Sequence, residues 1–204
     1  MRWMILLVAL MLGACFTGGG KRGGETLPAV YDFGPPVPAL SIAPRKAVWG
    51  LEVKVPQWMD TQGIDYRLAY VDSARIREYA LARWAGPPSQ LTQQRLAQRL
   101  QLAPPGQGRV DCLLRVEVNE FSQLFRTPGQ SVGVLVGKAV LLDRARRPLG
   151  ELVLNFEQPA PTPDASGGVA ALTFTVDALG EAILAWEQRL QSAGQAATCF
   201  AAAG

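Results

Sequence analysis

The stretches VDCLLRVEV (110–118), VGVLVGKAVLLD (132–143) and LGELVLNF (149–156) decide the fold class of this chain. Apolar and polar residues alternate in the first stretch, as they do in a strand that buries one face. The other two are mostly apolar stretches of strand length, the second rich in valine and the third in leucine. Arg144–Arg147 separates the second stretch from the third and is typical of an exposed turn. We therefore predict a meander of three strands in the second half of the chain.

The first half of the chain carries shorter strand patterns. Residues 47–55 alternate between apolar and polar side chains, which predicts a central strand. Residues 65–71 and 77–84 are two apolar runs that contain tyrosines, and a hairpin is the simplest interpretation of them. Tyr31 and Phe33 alternate as in a short edge strand before a turn.

Two helices are predicted from residue spacing. Residues 86–89 stop the strands and start a helix to about Leu102, in which leucines form one stripe while Gln and Arg fill the other face. A closing helix has apolar residues at spacings of three and four, namely Val176, Leu179, Ile183, Trp186 and Leu190. The predicted order is β-β-β-α-β-β-β-α. Strands in runs predict an α+β fold, a single domain with a mostly antiparallel sheet and helices packed on one face.

The composition limits the chemistry that the chain can perform. Its 204 residues are 49% apolar and 18% charged, so the chain can bury a core. It has no histidine, which excludes Ser-His-Asp and Cys-His catalysis and His-ligated zinc. A formal net charge of +3 without a basic stripe argues against nucleic-acid binding. No glycine-rich phosphate loop follows a strand, and we predict no cofactor and no metal site.

The N-terminus is typical of a secretory signal peptide. Arg2 is followed by the apolar run Trp3–Leu12, which is too short to span a membrane as a helix. The sequence Leu-Gly-Ala-Cys that ends at Cys15 resembles a bacterial lipobox. This resemblance implies thioether attachment of diacylglycerol to Cys15, cleavage before it, and acylation of the new amino group. Several acyl chains together give stable membrane anchoring.

The predicted division of the chain is a signal peptide (1–14), the lipidated cysteine with a Gly-rich tether (15–26), one domain (27–191) and an Ala-rich tail (192–204). Phe16, rather than aspartate, follows the lipidated cysteine. By resemblance to bacterial sorting rules, this favours the outer membrane, on its periplasmic face. Cys112 and Cys199 can pair in an oxidising periplasm or remain independent thiols, and both alternatives stay open at this point.

Glu117 and Glu120 lie near one strand end and have the residue types of a glycosidase acid–base pair. Residues three apart on a strand, however, point to opposite faces unless a bulge intervenes. We therefore interpret both as solvated charges on a strand.

An aromatic set comes from one strand exit and the predicted hairpin, and it contains Trp58, Tyr66, Tyr70 and Tyr79, with Trp84 at its end. There are more of these rings than one sheet face can readily bury. Because Trp and Tyr are enriched at interfaces, we predict that Trp58, Tyr66, Tyr70 and Tyr79 form a partner-binding surface. For Tyr79 and Trp84, packing in a half-buried sheet is the simpler interpretation.

The sequence between residues 51 and 91 resembles the ABC-type transport auxiliary lipoprotein family. The motifs that carry the resemblance are VKVPQWMD (53–60), GIDYR (63–67) and YALARWAGPP (79–88), with an earlier YDFG (31–34) and the lipobox. Outside this region the resemblance extends from residue 12 to about residue 190, but the C-terminal half matches only in pattern.

The resemblance implies a lipoprotein without enzymatic activity that accompanies an ABC permease, its ATPase and an MCE-domain (mammalian cell entry) protein. Such systems move phospholipids or related hydrophobic molecules between the inner and outer membranes. The domain is then expected to dock on the MCE protein, and a homo-oligomeric ring is among the assemblies that the resemblance allows.

Two alternatives from other classes share the lipid anchor and an α+β domain. One is an outer-membrane lipoprotein that activates a peptidoglycan synthase, which normally needs a longer tether than ten to twenty residues. The other is a lipoprotein that assists lipopolysaccharide assembly. Neighbouring genes for a permease, an ATPase and an MCE protein would favour the transport function over both.

Overall fold

The computed structural model describes residues 27–42, 45, 47–103 and 110–200. Its elements are β1 (Ala29–Tyr31), β2 (Trp49–Lys54), β3 (Gly63–Leu68), β4 (Asp72–Trp84), α1 (Pro88–Arg99), β5 (Cys112–Thr127), β6 (Gln130–Leu142), β7 (Pro148–Pro159), α2 (Ala165–Ser192) and α3 (Ala197–Phe200). The predicted signal peptide, Cys15 and its tether lie outside the described residues, as does the end of the tail from residue 201.

The predicted α+β class is confirmed, and the predicted order of elements is corrected in both halves. Four strands, not three, precede α1, because β1 pairs with the last three residues of β4. A short helix, α3, follows the predicted closing helix. The order among the described residues is therefore β-β-β-β-α-β-β-β-α-α.

One mixed sheet contains all seven strands. Its order is β1-β4-β3-β5-β6-β7, and β2 also pairs with β5. The antiparallel meander β5-β6-β7 and the hairpin β3-β4 are confirmed. The pairs β1-β4, β2-β5 and β3-β5 are parallel, however, so the sheet holds more parallel pairing than we predicted.

The parallel pairing follows from the length of β5, which has 16 residues. Its first part pairs with β2 and its last part with β3, so β2 and β3 lie one after the other along the same edge. Between these parts the register with β6 shifts at residues 118–120, which forms a β-bulge. Gly137 lies opposite this bulge. A Cβ there would collide with the carbonyl oxygen of Glu117, so the close approach of the two backbones requires glycine.

Helix α2 covers the meander and closes the core. Asp164 caps its N-terminus by accepting a hydrogen bond from the Gly167 amide at 2.8 Å. The five apolar residues predicted to face the core are at most 6% exposed, and they are Val176, Leu179, Ile183, Trp186 and Leu190. This helix is long and apolar enough to cross a membrane, but half of its most apolar window is buried inside the domain. It is the core helix of the fold.

Helix α1 packs beside α2 on the same side of the sheet. Two of the arginines predicted on the face opposite the leucine stripe are buried, since Arg95 and Arg99 are only 6% and 8% exposed. Arg95 Nε lies 2.9 Å from Asp177 Oδ1, and Arg99 Nη2 lies 3.1 Å from Glu181 Oε1. The acidic residues of α2 therefore supply the counter-charges that allow these guanidinium groups to be buried.

Cys112 and Cys199 form a disulfide, which settles the alternatives that the sequence left open. Their Cα atoms are 5.7 Å apart and 87 residues apart in sequence. The Trp49 indole donates a hydrogen bond to the Cys199 carbonyl at 2.9 Å, and the Phe200 ring lies 5.6 Å from the Trp49 ring. The disulfide thus fixes α3 against β2 and β5.

Candidate functional site

The β3-β4 hairpin carries three of the four residues predicted to bind a partner. Its turn is closed by the Val71 amide, which donates to the Leu68 carbonyl at 2.9 Å. The Ala69 amide donates to the Phe125 carbonyl at 2.9 Å, and this bond ties the turn to β5. Helices α1 and α2 pack mainly on β2, β5, β6 and β7, so the helix-side face of the hairpin is left largely open beside the N-terminus of α2.

Tyr66 and Tyr79 are brought together on this open face. Their ring centroids are 4.6 Å apart, and Phe125 packs edge-on against Tyr66 at 5.9 Å. The Tyr79 hydroxyl donates to Gln123 Oε1 at 2.9 Å, and the Gln123 amide donates in turn to a buried serine of β6 at 2.7 Å. Burial, followed by the effects of Tyr66 and Asp164, raises the pKa of Tyr79 to about 12. The phenol therefore stays protonated at neutral pH and acts as a fixed donor.

Trp58 and Tyr70 are the two exposed members of the predicted surface, at 56% and 46%. Trp58 lies in the turn after β2, where Asp60 accepts hydrogen bonds from the Ser89 amide and hydroxyl at 3.0 and 2.7 Å. Tyr70 lies in the turn between β3 and β4. Because β3 has six residues, these two turns are separated by about 20 Å along the strand. The structure therefore does not bring Trp58 and Tyr70 together.

The opposite face of the sheet is covered by ion pairs. Glu117 and Glu120 point to this same face, which corrects the expectation that they point apart, because the bulge of β5 lies between them. Arg67 donates to both carboxylate oxygens of Glu120 at 3.1 and 3.0 Å, and Lys138 lies 3.8 Å from Glu117. Both carboxylates are therefore engaged with cations and are not arranged as an acid–base pair.

Asp65 is the one strongly perturbed carboxyl group among the described residues. Burial, then the carboxylates of Glu78 and Glu120, raises its pKa to about 7, and Arg67 opposes this shift. The raised pKa of Asp65 thus reflects its burial first and the neighbouring carboxylates on this face second.

Sequence reasoning missed the buried ion pairs that join the helices and the loop before β2. Arg45 donates to both oxygens of Glu187 at 2.7 Å. A signal for the inter-helix pairs was present in the spacing. The residues concerned are four apart on each helix and so share a face: Arg95 and Arg99 on α1, and Asp177 and Glu181 on α2.

Two surface grooves lie on the helical side of the domain. One, of about 530 Å³, runs between the turn at residues 32–36 and α1, and the other, of about 410 Å³, lies around Trp49 and Val48. The arginine in each groove, Arg95 or Arg45, is held by an acidic residue of α2. Within the described ranges, no three His, Cys, Asp or Glu side chains are placed to hold a metal ion.

Comparison with known proteins gives a family and a fold. A family model described as ABC-type transport auxiliary lipoprotein component matches residues 31–184. Protein XCC0632 from Xanthomonas campestris, described as a DUF330 protein, has a crystal structure with a TM-score of 0.63 and 16% identity, covering 80% of this chain and 99% of its own. An uncharacterized protein has a crystal structure with a TM-score of 0.63 and 15% identity, covering 79% of this chain and 99% of its own. No curated protein matches the chain.

Proposed function

Because this chain belongs to the ABC-type transport auxiliary lipoprotein family, we propose that it is the membrane-anchored docking subunit of an ABC transport system that contains an MCE-domain protein. Its partners are then the MCE protein, the permease and the ATPase. The cargo is phospholipid or another hydrophobic molecule, carried between the two membranes. The family match, joined to the lipobox that ends at Cys15, is the observation on which this proposal rests.

The anchor is the diacylglycerol on Cys15, exposed by removal of residues 1–14, and the location is the periplasmic face of the outer membrane. In this proposal residues 15–26 are the Gly-rich tether that joins the anchor to the domain. The disulfide between Cys112 and Cys199 supports a location outside the cytosol, because such bonds persist in oxidising compartments.

The docking surface contains the hairpin tyrosines Tyr66, Tyr70 and Tyr79, with Trp58 at the far end of β3. Tyr70 and Trp58 are exposed rings on turns that backbone hydrogen bonds hold in place. Rigid, exposed aromatic residues are typical of positions that carry binding energy in interfaces. The function is structural: the chain joins a membrane to a transport subunit and performs no chemistry on the cargo.

Capture of the MCE-domain protein encoded beside this chain tests the proposal. We expect the full-length wild type to bind it, and Trp58→Ala and Tyr70→Ala to reduce binding by about tenfold or more. Phe174→Ala is the matched control, because Phe174 is an exposed ring (55%) on α2 and is not part of the hairpin. Unchanged binding by both variants would remove these residues from the interface, and absence of wild-type binding would contradict the function.

Gene order offers an independent test. We expect genes for a permease, an ATPase and an MCE-domain protein next to this one. A neighbouring peptidoglycan synthase or lipopolysaccharide-assembly gene, with no transporter genes, would favour one of the alternatives instead. A ring of several copies is the assembly that we expect for docking on a tubular partner, and the mass of the purified complex measures it.

A further inference from the structure

Arg77 stands apart from the other arginines of the domain. Among the described arginines that are half-buried or buried, every other one makes an ion pair, and those are Arg45, Arg67, Arg95, Arg99 and Arg115. Arg77 is half-buried and has no carboxylate within 4 Å in the described part of the chain. Its Nε atom is closed to solvent and has no hydrogen-bond acceptor. A buried guanidinium donor without a partner costs free energy, so this arrangement calls for an explanation.

Arg77 lies on the same open face of the hairpin as Tyr66 and Tyr79. It lies directly across from Tyr66 in the ladder between β3 and β4, so the two side chains share a face. Tyr79, two residues further along β4, stacks on Tyr66 on that face. Asp65 and Glu78 are the neighbouring cross-strand pair and therefore point to the other face.

The acidic group that acts on Tyr79 is already engaged. Asp164, which acts on the pKa of Tyr79, accepts hydrogen bonds from the Gly167 amide and from Thr162 Oγ1, both at 2.8 Å. These bonds, with the Gly167 amide first, lower the pKa of Asp164 and commit its carboxylate to the cap of α2. Arg75, also on β4, makes no ion pair within the described residues either. Arg75 and Arg77 thus carry positive charges that no described carboxylate pairs with within 4 Å.

We propose that Arg77 receives a carboxylate from an acidic segment of a partner protein, between the stacked tyrosines and the turn of the hairpin. The inference rests on the proposed docking function and names the chemistry of the partner at that surface. A carboxylate matches the planar fork of a guanidinium with two parallel hydrogen bonds. Tyrosine and arginine are also the residue types that carry most binding energy at protein interfaces.

An anionic membrane surface fits these observations less well. Recognition of lipid headgroups by charge uses clusters of about four to eight Lys and Arg residues. Strand β4 carries three arginines, Arg75, Arg77 and Arg83, together with Asp72 and Glu78, so it carries no such cluster. The half-buried position of Arg77 favours one anion fitted between side chains over a layer of phosphates.

The test measures binding of the full-length, lipidated protein in detergent to the MCE-domain protein encoded beside it. We expect Arg77→Met to weaken binding by at least about tenfold and to reduce its dependence on NaCl concentration. Arg77→Lys should restore little of the binding, because an ammonium group cannot donate two parallel hydrogen bonds to a carboxylate as a planar guanidinium does. Arg83→Met is the matched control and should bind as the wild type does, because Arg83 is an exposed arginine of the same strand that makes no ion pair with a described residue.

A second measurement does not depend on the partner. Thermal unfolding of Arg77→Met should occur at or above the wild-type midpoint, because the change removes an unpaired buried donor. Arg95→Met, which breaks a buried pair, should unfold at a lower temperature. A drop for Arg77→Met like that for Arg95→Met would show a structural arginine and overturn the inference.

The outcomes separate this inference from the proposed function. Equal binding by wild type and Arg77→Met overturns the inference and leaves the docking function intact. No binding by the wild type overturns both. Arg77-dependent binding to vesicles of phosphatidylglycerol, with no effect on the MCE protein, would assign the arginine to a lipid headgroup and overturn the inference as stated.

Discussion

Asp177 is the residue on which two buried guanidinium groups depend. Its Oδ1 lies 2.9 Å from Arg95 Nε and 3.7 Å from Arg99 Nε. Glu181, one turn further on α2, is 67% exposed in its side chain and reaches only Arg99. The two acids are four residues apart on one helix, but Asp177 is more buried than Glu181, so we expect it to contribute more to stability.

We predict that Asp177→Ala lowers the free energy of unfolding by about 3 kcal/mol, because it leaves two buried cations short of their counter-charge. Glu181→Ala is the matched control and should cost less than about 1 kcal/mol, since its carboxylate is mostly solvated. Urea unfolding of both variants measures the difference. Equal and small losses would contradict the assignment of Asp177 as the central counter-ion.

Asp65 makes stability depend on pH. Its pKa in the folded chain is raised to about 7, first by burial and then by Glu78 and Glu120, while an unfolded chain has an ordinary value near 4. The folded state therefore binds the proton more tightly. The stability contributed by neutral Asp65 is fully present below about pH 4 and is lost as the pH rises through about 7.

We predict that Asp65→Asn is more stable relative to wild type at pH 8 than at pH 4, because an amide carries no charge at either pH. Unfolding midpoints of both proteins across this range measure the difference. A difference that does not change with pH would show that Asp65 ionises normally in the folded chain.

At the residue level, the sequence predicted which apolar side chains form the core and missed most of the paired charges. Leu96 and Trp186 have the spacing of a buried stripe and are buried. Arg95 lies one position from Leu96, and no local pattern separates a buried arginine from a solvated one. Its burial depends on Asp177, which is 82 residues away. The unpaired state of Arg77 likewise depends on which acids the fold brings close.

Among the elements, α3 depends on the disulfide for its position. It has four residues, too few to be stable alone, and Cys199 within it is completely buried. The bond joins it to the start of β5 across 87 residues. A cross-link over so long a loop restricts the unfolded chain strongly.

We predict that the double variant Cys112→Ser, Cys199→Ser loses about 2–5 kcal/mol of stability. A reducing agent should lower the unfolding midpoint of the wild type by a similar amount and leave the double variant unchanged, which makes that variant its own control. Detection of two free thiols at these positions in the native, non-reduced protein would contradict the bond.

Elements whose partners are near in sequence were predicted well, and those with distant partners were not. The meander and the hairpin are joined by short turns, so antiparallel pairing follows from the order of the strands alone. The parallel pairing of β2 and β3 with β5 joins residues more than 50 positions apart. The bulge that turns Glu117 and Glu120 to one face is also set by pairing with β6 and has no sequence signal that we recognised.

For the molecule as a whole, the strand runs and the motifs between residues 51 and 91 were sufficient to predict the α+β class and the family. The position of the docking surface was only partly predictable, since Tyr66 and Tyr79 stack together while Trp58 and Tyr70 lie at opposite ends of β3. Exposure of aromatic rings depends on where the helices end on the sheet, which residue spacing does not give. The lipid anchor remains a prediction from the sequence, because Cys15 lies outside the described residues.

The central claim is that one molecule both enters a bilayer through Cys15 and binds an MCE-domain protein through its folded domain. Recruitment of the soluble MCE domain to liposomes tests both parts at once, with the lipidated wild type compared with Cys15→Ser. We predict that the MCE domain floats with liposomes that carry the wild type and stays in solution with the variant. If liposomes loaded with the lipidated wild type leave the MCE domain in solution, or if Cys15→Ser recruits it equally, the account is contradicted.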